Sequence, residues 1–197
     1  MAQAGRMMER PLLISSLIEH GEKQHGQQEV VSRETDGSTV RRSFAQVAQN
    51  AKRLANALHA LGLRPGDAVG TIAWNNVRHV ESYYGVSGSG LIIHTCNPRL
   101  HPEQLAYIIN HADDQVVLFD TTFAPLVQAI ASHCPQVKAW VSLTTAEQKP
   151  HIAGVDVLAY DDLLAAQPAE YEWPDLDERS GAALCYTSGT TGNPKGV

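Results

Sequence analysis

The feature that most constrains the fold of this chain is a series of short apolar runs with little internal alternation. Each run is long enough for a β-strand and is separated from the next by residues with helical spacing. The runs span 68–74, 91–96, 115–120, 137–143 and 182–187, and helices are expected at 76–87, 102–112 and 122–133. Such runs indicate strands covered on both faces, and strand–helix–strand repetition favours parallel pairing. We therefore predict an α/β fold with a mostly parallel sheet flanked by helices.

The residues that precede this repetition predict a helix, a hairpin and a second helix. An amphipathic helix is expected to begin near Pro11–Ile18, and two short strands then meet at Asp36–Gly37, a dipeptide suited to tight turns. Ser43 opens the second helix with a capping-box pattern. By contrast, 144–181 carries several prolines and acids. We predict that it is a surface excursion with one short helix near 161–166.

Composition and charge exclude several classes of protein. The 197 residues are 43% hydrophobic and 18% charged, as in ordinary globular domains. A net charge of -6 argues against a nucleic-acid partner, which requires clustered lysine and arginine, so we interpret Arg41–Arg42 as a solvated strand end. The three cysteines form no C-x-x-C pair and indicate a reducing compartment. Because no apolar run approaches the roughly 20 residues of a membrane helix, we expect a cytoplasmic protein without a transmembrane segment.

Several polar residues in the sheet region have the chemistry of ligands or catalysts. His94 and Cys96 would share one face of a strand near His101, but no second ligand pair follows, so ordinary packing is favoured over a metal site. Three histidines are interpreted as packing residues, because none accompanies a nucleophile: His79, His94 and His111. Three acids are interpreted as helix caps and solvated charges: Asp113, Asp114 and Asp120.

The last apolar run leads directly into the glycine-rich stretch SGTTGNPKGV. Its glycines (Gly189, Gly192 and Gly196) permit backbone N–H groups to point inward at a phosphate. Hydroxyl groups (Thr187, Ser188, Thr190 and Thr191) add donors, and Lys195 adds a positive charge. The stretch is not a Walker A loop, because Pro194 precedes the lysine and Gly196 follows it. Composition alone leaves a phosphate-binding loop and a solvated turn equally open.

The order of these residues resembles a known signature. YTSGTTGNPKGV, at 186–197, resembles the loop of the adenylate-forming superfamily, which includes acyl-CoA synthetases, luciferases and peptide-synthetase adenylation domains. Stretches at 29–67, 75–90 and 94–120 resemble the N-terminal part of medium- and long-chain fatty-acyl-CoA synthetases. The resemblance thus covers nearly the whole chain, in order.

The resemblance implies a two-step reaction that uses ATP, Mg²⁺ and coenzyme A. A carboxylate attacks the α-phosphate to give an acyl-adenylate and pyrophosphate, and the thiol of coenzyme A then displaces AMP. By motif position, Thr187 would contact phosphate or Mg²⁺, and Lys195 would assist the departure of pyrophosphate. The residues implied to wrap the β- and γ-phosphates are Ser188, Gly189, Thr190, Thr191 and Gly192.

The resemblance also implies that the chain is the first third of a longer fatty acid–CoA ligase, often a homodimer. Other catalytic groups of the family follow the loop, so no complete catalytic set is expected here, and the isolated chain is expected to be inactive. We expect 1–181 to form an N-terminal subdomain and 182–197 to open the remainder of the large domain. Two alternatives stay open: an aryl or short-chain acid as substrate, and a stand-alone, non-catalytic nucleotide-binding or assembly domain.

Overall fold

The elements follow the predicted alternation in a computed structural model that describes residues 10–187 and 194–197. The helices are α1 (Ile14–His25), α2 (Phe44–Ala60), α3 (Val77–Gly88), α4 (Pro102–His111), α5 (Ala124–Ile130) and α6 (Tyr160–Ala165). The strands are β1 (Glu29–Arg33), β2 (Thr39–Ser43), β3 (Ala68–Ile72), β4 (Ile92–Thr95), β5 (Asp114–Phe119), β6 (Ala139–Ser142), β7 (Val157–Ala159), β8 (Ala183–Thr187) and β9 (Lys195–Gly196). Short 3₁₀ turns occupy Thr121–Phe123, Ala131–His133 and Ala146–Gln148.

The strands form two sheets. β1 and β2 pair as an antiparallel hairpin whose turn contains Gly37 with a φ of 86°. The larger sheet has the order β7-β6-β5-β3-β4-β8-β9. All its pairings from β7 to β8 are parallel, and the two-residue strand β9 runs antiparallel to β8. The predicted α/β class and the mostly parallel sheet are confirmed.

Each face of the larger sheet packs on helices, which explains why the strand sequences do not alternate. On β5, Val116 and Leu118 enter one apolar cluster with Leu54 and Leu58 of α2. The intervening residues of β5 enter a second cluster on the opposite face, together with residues of α4 and α5: Val117, Phe119, Leu105, Ile109, Val127 and Ile130. Helix α1 and the hairpin pack outside α2 and α3, around Ile18 and Val47.

Local sequence signals set several boundaries as predicted. The side chain of Ser43 accepts a hydrogen bond from the backbone N–H of Gln46, and the Gln46 side chain accepts one from the backbone N–H of Ser43. This reciprocal capping box fixes the start of α2. Asn76 caps α3 by accepting from the N–H of His79 at 3.0 Å.

Two parts of the chain differ from the sequence prediction. The segment 144–181 is not wholly a surface excursion, because β7 adds a parallel strand beside β6 and Tyr160 at its end is fully buried. A three-residue strand is too short to leave a periodic pattern in the sequence. The expected helix at 122–133 is α5 with a 3₁₀ turn at each end, and Pro125 occupies its first turn.

A buried ionic network joins the hairpin to the helices and corrects the interpretation of Arg41–Arg42. The carboxylate of Glu81 is fully buried and accepts hydrogen bonds from Arg42, from Asn50 at 2.9 Å and from the Tyr160 hydroxyl at 3.1 Å. Arg42 is therefore part of the interior network. Arg41 is solvated, as predicted, and pairs with an exposed Glu29.

The adjacent arginines provide a matched test of this network. Arg42→Ala should lower the free energy of unfolding by about 3–5 kcal/mol, because it leaves a buried carboxylate without its charged partner. Arg41→Ala should cost at most about 1 kcal/mol, since its ion pair is exposed. Urea-induced unfolding of both variants measures the difference. Equal losses in the two variants would show that Glu81 is not stabilised by Arg42.

Candidate functional site

The two ends of the glycine-rich stretch lie side by side at one edge of the sheet. In the antiparallel pairing of β8 with β9, Tyr186 lies opposite Gly196 and Thr187 lies opposite Lys195. The pairing continues through Cys185 and Val197, whose backbones exchange hydrogen bonds of 3.0 and 2.8 Å. Since β8 runs parallel to its neighbour β4, its last residue, Thr187, lies at the carboxyl edge of the sheet. Ligands of open α/β sheets bind at this edge.

Two of the predicted phosphate ligands lie at this position, on the same face of the strand pair. Thr187 and Lys195 are cross-strand partners, so their side chains project to one side, and both residues are exposed. The Thr187 hydroxyl oxygen is 3.5 Å from the carbonyl oxygen of Lys195. The other predicted phosphate ligands lie outside the described residues: Ser188, Gly189, Thr190, Thr191 and Gly192. A hydroxyl and an ammonium group that face solvent together suit contact with phosphate and its metal ion.

The opposite face of β8 belongs to the protein interior. Tyr186 packs against the apolar cluster beneath α4, and its hydroxyl oxygen is 2.6 Å from Nδ1 of His111. Its ring centroid lies 5.0 Å from that of His94. His111, predicted only to pack, is exposed at the end of α4 and hydrogen-bonded to the tyrosine. Neither contact was evident from the sequence, although inward orientation of Tyr186 follows from its alternation with Thr187 along the strand.

Below Tyr186, three buried residues bring ligand-type atoms close together. One such atom from each of His94, Cys96 and Asp114 lies within 4.8 Å of the others. Nδ1 of His94 already hydrogen-bonds Oδ2 of Asp114 at 2.7 Å. The Cys96 sulfur is 3.7 Å from Nδ1 and 3.6 Å from Nε2, so it is nearly equidistant from the two nitrogens and not aligned with the lone pair of either.

The electrostatics of this cluster also favour packing over metal binding. Burial raises the pKa of the Cys96 thiol well above its ordinary value, and the carboxylate of Asp114 raises it further. Metal ligation requires the thiolate. His101, considered with these residues from the sequence, lies apart from them and is exposed beside Glu103. The arrangement therefore supports the packing interpretation of His94 and Cys96.

The prediction that Asp114 and Asp120 are solvated charges is wrong, because both are buried. Asp120 does precede the 3₁₀ turn at Thr121–Phe123, but its side chain makes no capping hydrogen bond. Asp120 accepts hydrogen bonds from the backbone N–H of Trp74 at 2.6 Å and from Asn76 at 3.0 Å, which joins the ends of β5 and β3. Asp114 fits beside β3 because Gly70 has no side chain there; a Cβ would lie 2.7 Å from its Oδ2. Asp113 is exposed, as predicted.

His79 has the packing role predicted for it. It is buried, and its Nε2 lies 3.1 Å from the hydroxyl oxygen of Thr71. Burial lowers its pKa, so the neutral imidazole is favoured at physiological pH. Within the described residues, no helix combines the length and apolar character needed to cross a bilayer.

Comparison with known proteins identifies the family. Residues 18–197 match the AMP-binding enzyme family. The chain belongs to the AMP-binding enzymes. The AMP-binding region is 52% identical over 195 residues to a 3-methylmercaptopropionyl-CoA ligase of Ruegeria lacuscaerulensis, covering 98% of this chain and 36% of that protein. It is 49% identical over 193 residues to a medium-chain-fatty-acid–CoA ligase of Ectopseudomonas oleovorans, covering 98% and 35%.

A solved structure agrees with this assignment. An anthranilate CoA ligase in complex with anthranoyl-AMP superimposes with a TM-score of 0.82 at 26% identity, over 95% of this chain and 34% of that one. The resemblance to adenylate-forming acyl-CoA ligases, inferred from the glycine-rich signature, is confirmed. The chain spans about a third of the length of these relatives.

Because Asp114 is buried, the free energy of unfolding should depend measurably on pH. Burial raises its pKa above the ordinary 3.8, although the hydrogen bond from His94 opposes the shift. A raised pKa stabilises the fold below pH 3.8, and this contribution is lost as the pH rises through the folded-state pKa. Asp114→Asn retains an acceptor for His94 without the charge. The variant should therefore gain stability relative to the wild type as the pH rises from about 4 to 7.

The measurement is the free energy of unfolding in urea at half-unit pH intervals across that range. Asp156→Asn is the matched control, because this aspartate is exposed and does not contribute to the pKa shift of Asp114. The control should follow the wild-type curve at a constant offset. If the Asp114→Asn curve also runs parallel to the wild type, the burial of a charged Asp114 does not control stability.

Proposed function

We propose that this chain is the N-terminal, phosphate-binding part of an ATP-dependent carboxylic acid–CoA ligase. The observation that carries the proposal is the pairing of β8 with β9, which presents Thr187 and Lys195 together at the carboxyl edge of the sheet. High identity to proteins named as CoA ligases supports it. In this proposal, 1–181 is the N-terminal subdomain, and 182–197 opens the part of the large domain that follows.

The exposed face of the strand pair suits the proposed chemistry. Negative charge moves onto pyrophosphate as it leaves, and preorganised donors stabilise that charge in the transition state. We propose that Lys195 stabilises this charge with its ammonium group and Thr187 with its hydroxyl group, which their cross-strand pairing supports. The intervening loop, including Ser188–Gly192, would wrap the β- and γ-phosphates. A bound Mg²⁺ would neutralise phosphate charge, and Thr187 is the residue of this chain proposed to contact it.

The substrate class is proposed from the named relatives. Proteins named for 3-methylmercaptopropionyl-CoA and for medium-chain fatty acids share about half of the residues of this chain, which supports an aliphatic acid. An aryl acid is the second candidate, since the structural neighbour named above is an anthranilate CoA ligase, although its identity is only 26%. We further propose a cytoplasmic enzyme, and we favour the ligase over a stand-alone nucleotide-binding domain.

The direct test compares two lengths of the protein. The 197-residue chain and a version extended by the residues that follow Val197 in its reading frame are incubated with MgATP, coenzyme A and a series of carboxylic acids. The extended protein should release AMP and pyrophosphate only when an acid is present, with aliphatic acids preferred. The 197-residue chain should release neither. Acid-dependent turnover by the short chain, or none by the extended protein, would contradict the proposal.

Lys195 provides a residue-level test in the extended protein. Lys195→Ala should lower the rate of acid-dependent pyrophosphate release by at least about tenfold, because it removes a donor to the leaving group. The melting temperature should not change, since the side chain is exposed. Lys149→Ala, which removes an exposed lysine after β6, is the control and should keep wild-type activity. Normal activity in Lys195→Ala, or a loss that follows a lower melting temperature, would contradict the assigned role.

We also propose that the protein forms homodimers. Exposed apolar side chains at Leu12 and Leu17 of the N-terminal segment and α1 offer a surface for a second copy. The outer edge of β8 offers less surface for a second copy, because β9 covers part of it. Light scattering at micromolar concentration should give twice the mass of one chain. A monomer mass that is unchanged on tenfold concentration would rule out this assembly.

A further inference from the structure

Tyr186 connects the strand that enters the phosphate-binding loop to a helix of the scaffold. Its hydroxyl oxygen lies 2.6 Å from Nδ1 of His111, the last residue of α4. The two rings meet edge to face, with centroids 5.8 Å apart. Tyr186 thus ties the end of β8 to α4 from the side opposite Thr187. Tyr186 directly precedes Thr187, the proposed phosphate ligand, and its side chain lies on the opposite face of the strand.

The strand that leaves the loop rests on the same tyrosine ring. Gly196 of β9 lies so close that a Cβ would be 3.2 Å from Cζ of Tyr186, 3.4 Å from its hydroxyl oxygen and 3.0 Å from Cδ1 of Leu184. The φ of Gly196 lies outside the left-handed region, unlike that of Gly37 or Gly62. Glycine at 196 therefore permits this close packing, and its backbone conformation is not an unusual one. This differs from the sequence expectation, which gave Gly196 a role in turning N–H groups toward phosphate.

The floor beneath the tyrosine ring is itself held by a hydrogen bond. The ring of His94 packs on Tyr186, and Asp114 holds His94 through its Nδ1 at 2.7 Å. All ligand-type atoms of His94 and Asp114 are buried, and Gly70 provides the space for the carboxylate. The ring of Tyr186 thus lies between a fixed histidine and the returning strand, with its hydroxyl group bound to His111.

We propose that Tyr186 is a positioning residue that, with His111 and Gly196, holds the two ends of the phosphate-binding loop together before ATP binds. The proposal rests on the ATP-dependent ligase function given above. A strand pair that already holds Thr187 beside Lys195 needs no further ordering when phosphate binds, so less binding energy is spent on bringing the two residues together. Loosening the ends should therefore weaken ATP binding more than it slows the chemical step. It should leave the affinity for the carboxylic acid unchanged.

The kinetic test uses the extended protein and variants that remove only the hydrogen bond. Tyr186→Phe and His111→Leu should each raise the KM for ATP about threefold to tenfold, the effect of losing one hydrogen bond. Their kcat and their KM for the acid should stay within about twofold of the wild type. His111→Gln keeps a hydrogen-bonding group and should restore much of the affinity. Tyr107→Phe is the matched control, since Tyr107 packs on His111 at 5.5 Å between ring centroids, with no hydrogen bond from its hydroxyl group to the described residues.

A second readout needs no enzymatic activity. Trypsin cleavage after Lys195, followed by mass spectrometry, should be several times faster in Tyr186→Phe and His111→Leu than in the wild type and Tyr107→Phe, because a paired strand resists proteolysis. If the wild type consumes no ATP with any acid, the ligase function fails, and the cleavage rates alone decide whether Tyr186 holds the loop ends. Wild-type cleavage rates in both variants, or an unchanged KM for ATP in an active Tyr186→Phe enzyme, would overturn the positioning role.

Discussion

The parallel pairing of β8 with β4 places the described residues of the candidate site, Thr187 and Lys195. The chain first forms β5, β6 and β7 on the far side of β3 and then returns to the open edge of β4. The backbone N–H of Ile93 donates to the carbonyl of Ala182 at 3.1 Å, and the hydroxyl of Ser87 donates to the same oxygen at 2.7 Å. These bonds fix where β8 begins beside β4, and they therefore fix the position of Thr187 at the other end of the strand.

The long connection before β8 contributes to this placement. The backbone carbonyls of Pro168 and Glu170 accept hydrogen bonds from Asn56 on α2, each 3.0 Å long. Trp173 packs so closely on α3 that a Cβ at Gly88 would lie 2.9 Å from its ring. A segment that resembles a surface loop in sequence is thus attached to two core helices. This segment is the crossover connection from β7 to β8, and its contacts bring the chain back to the edge of β4 for parallel pairing.

Sequence patterns predicted the features of this fold that depend on local chemistry. The hairpin at Gly37, the capping box at Ser43 and the mostly parallel sheet all follow from turn, cap and periodicity signals. The buried acids could not be predicted, because the space that admits Asp114 is created by Gly70 on a different strand. The sequence did not predict β7, because a strand of three residues is too short to show the alternating pattern of a strand. In the site, the motif identified Thr187 and Lys195 as candidates, but the packing of Gly196 on its cross-strand partner is a tertiary contact that no local pattern reports.

Alternate residues of β8 face different ways, with Tyr186 packed on the scaffold and Thr187 exposed at the edge where we propose that ATP binds. The reaction we propose there is attack of a carboxylate on the α-phosphate of ATP. The most direct test gives the extended protein a carboxylic acid labelled with ¹⁸O in both oxygens, together with MgATP and coenzyme A. Adenylate formation transfers one labelled oxygen to phosphorus, so the AMP released should carry a single ¹⁸O and the pyrophosphate none. Label in orthophosphate with ADP as the other product, or AMP without label, would contradict the account.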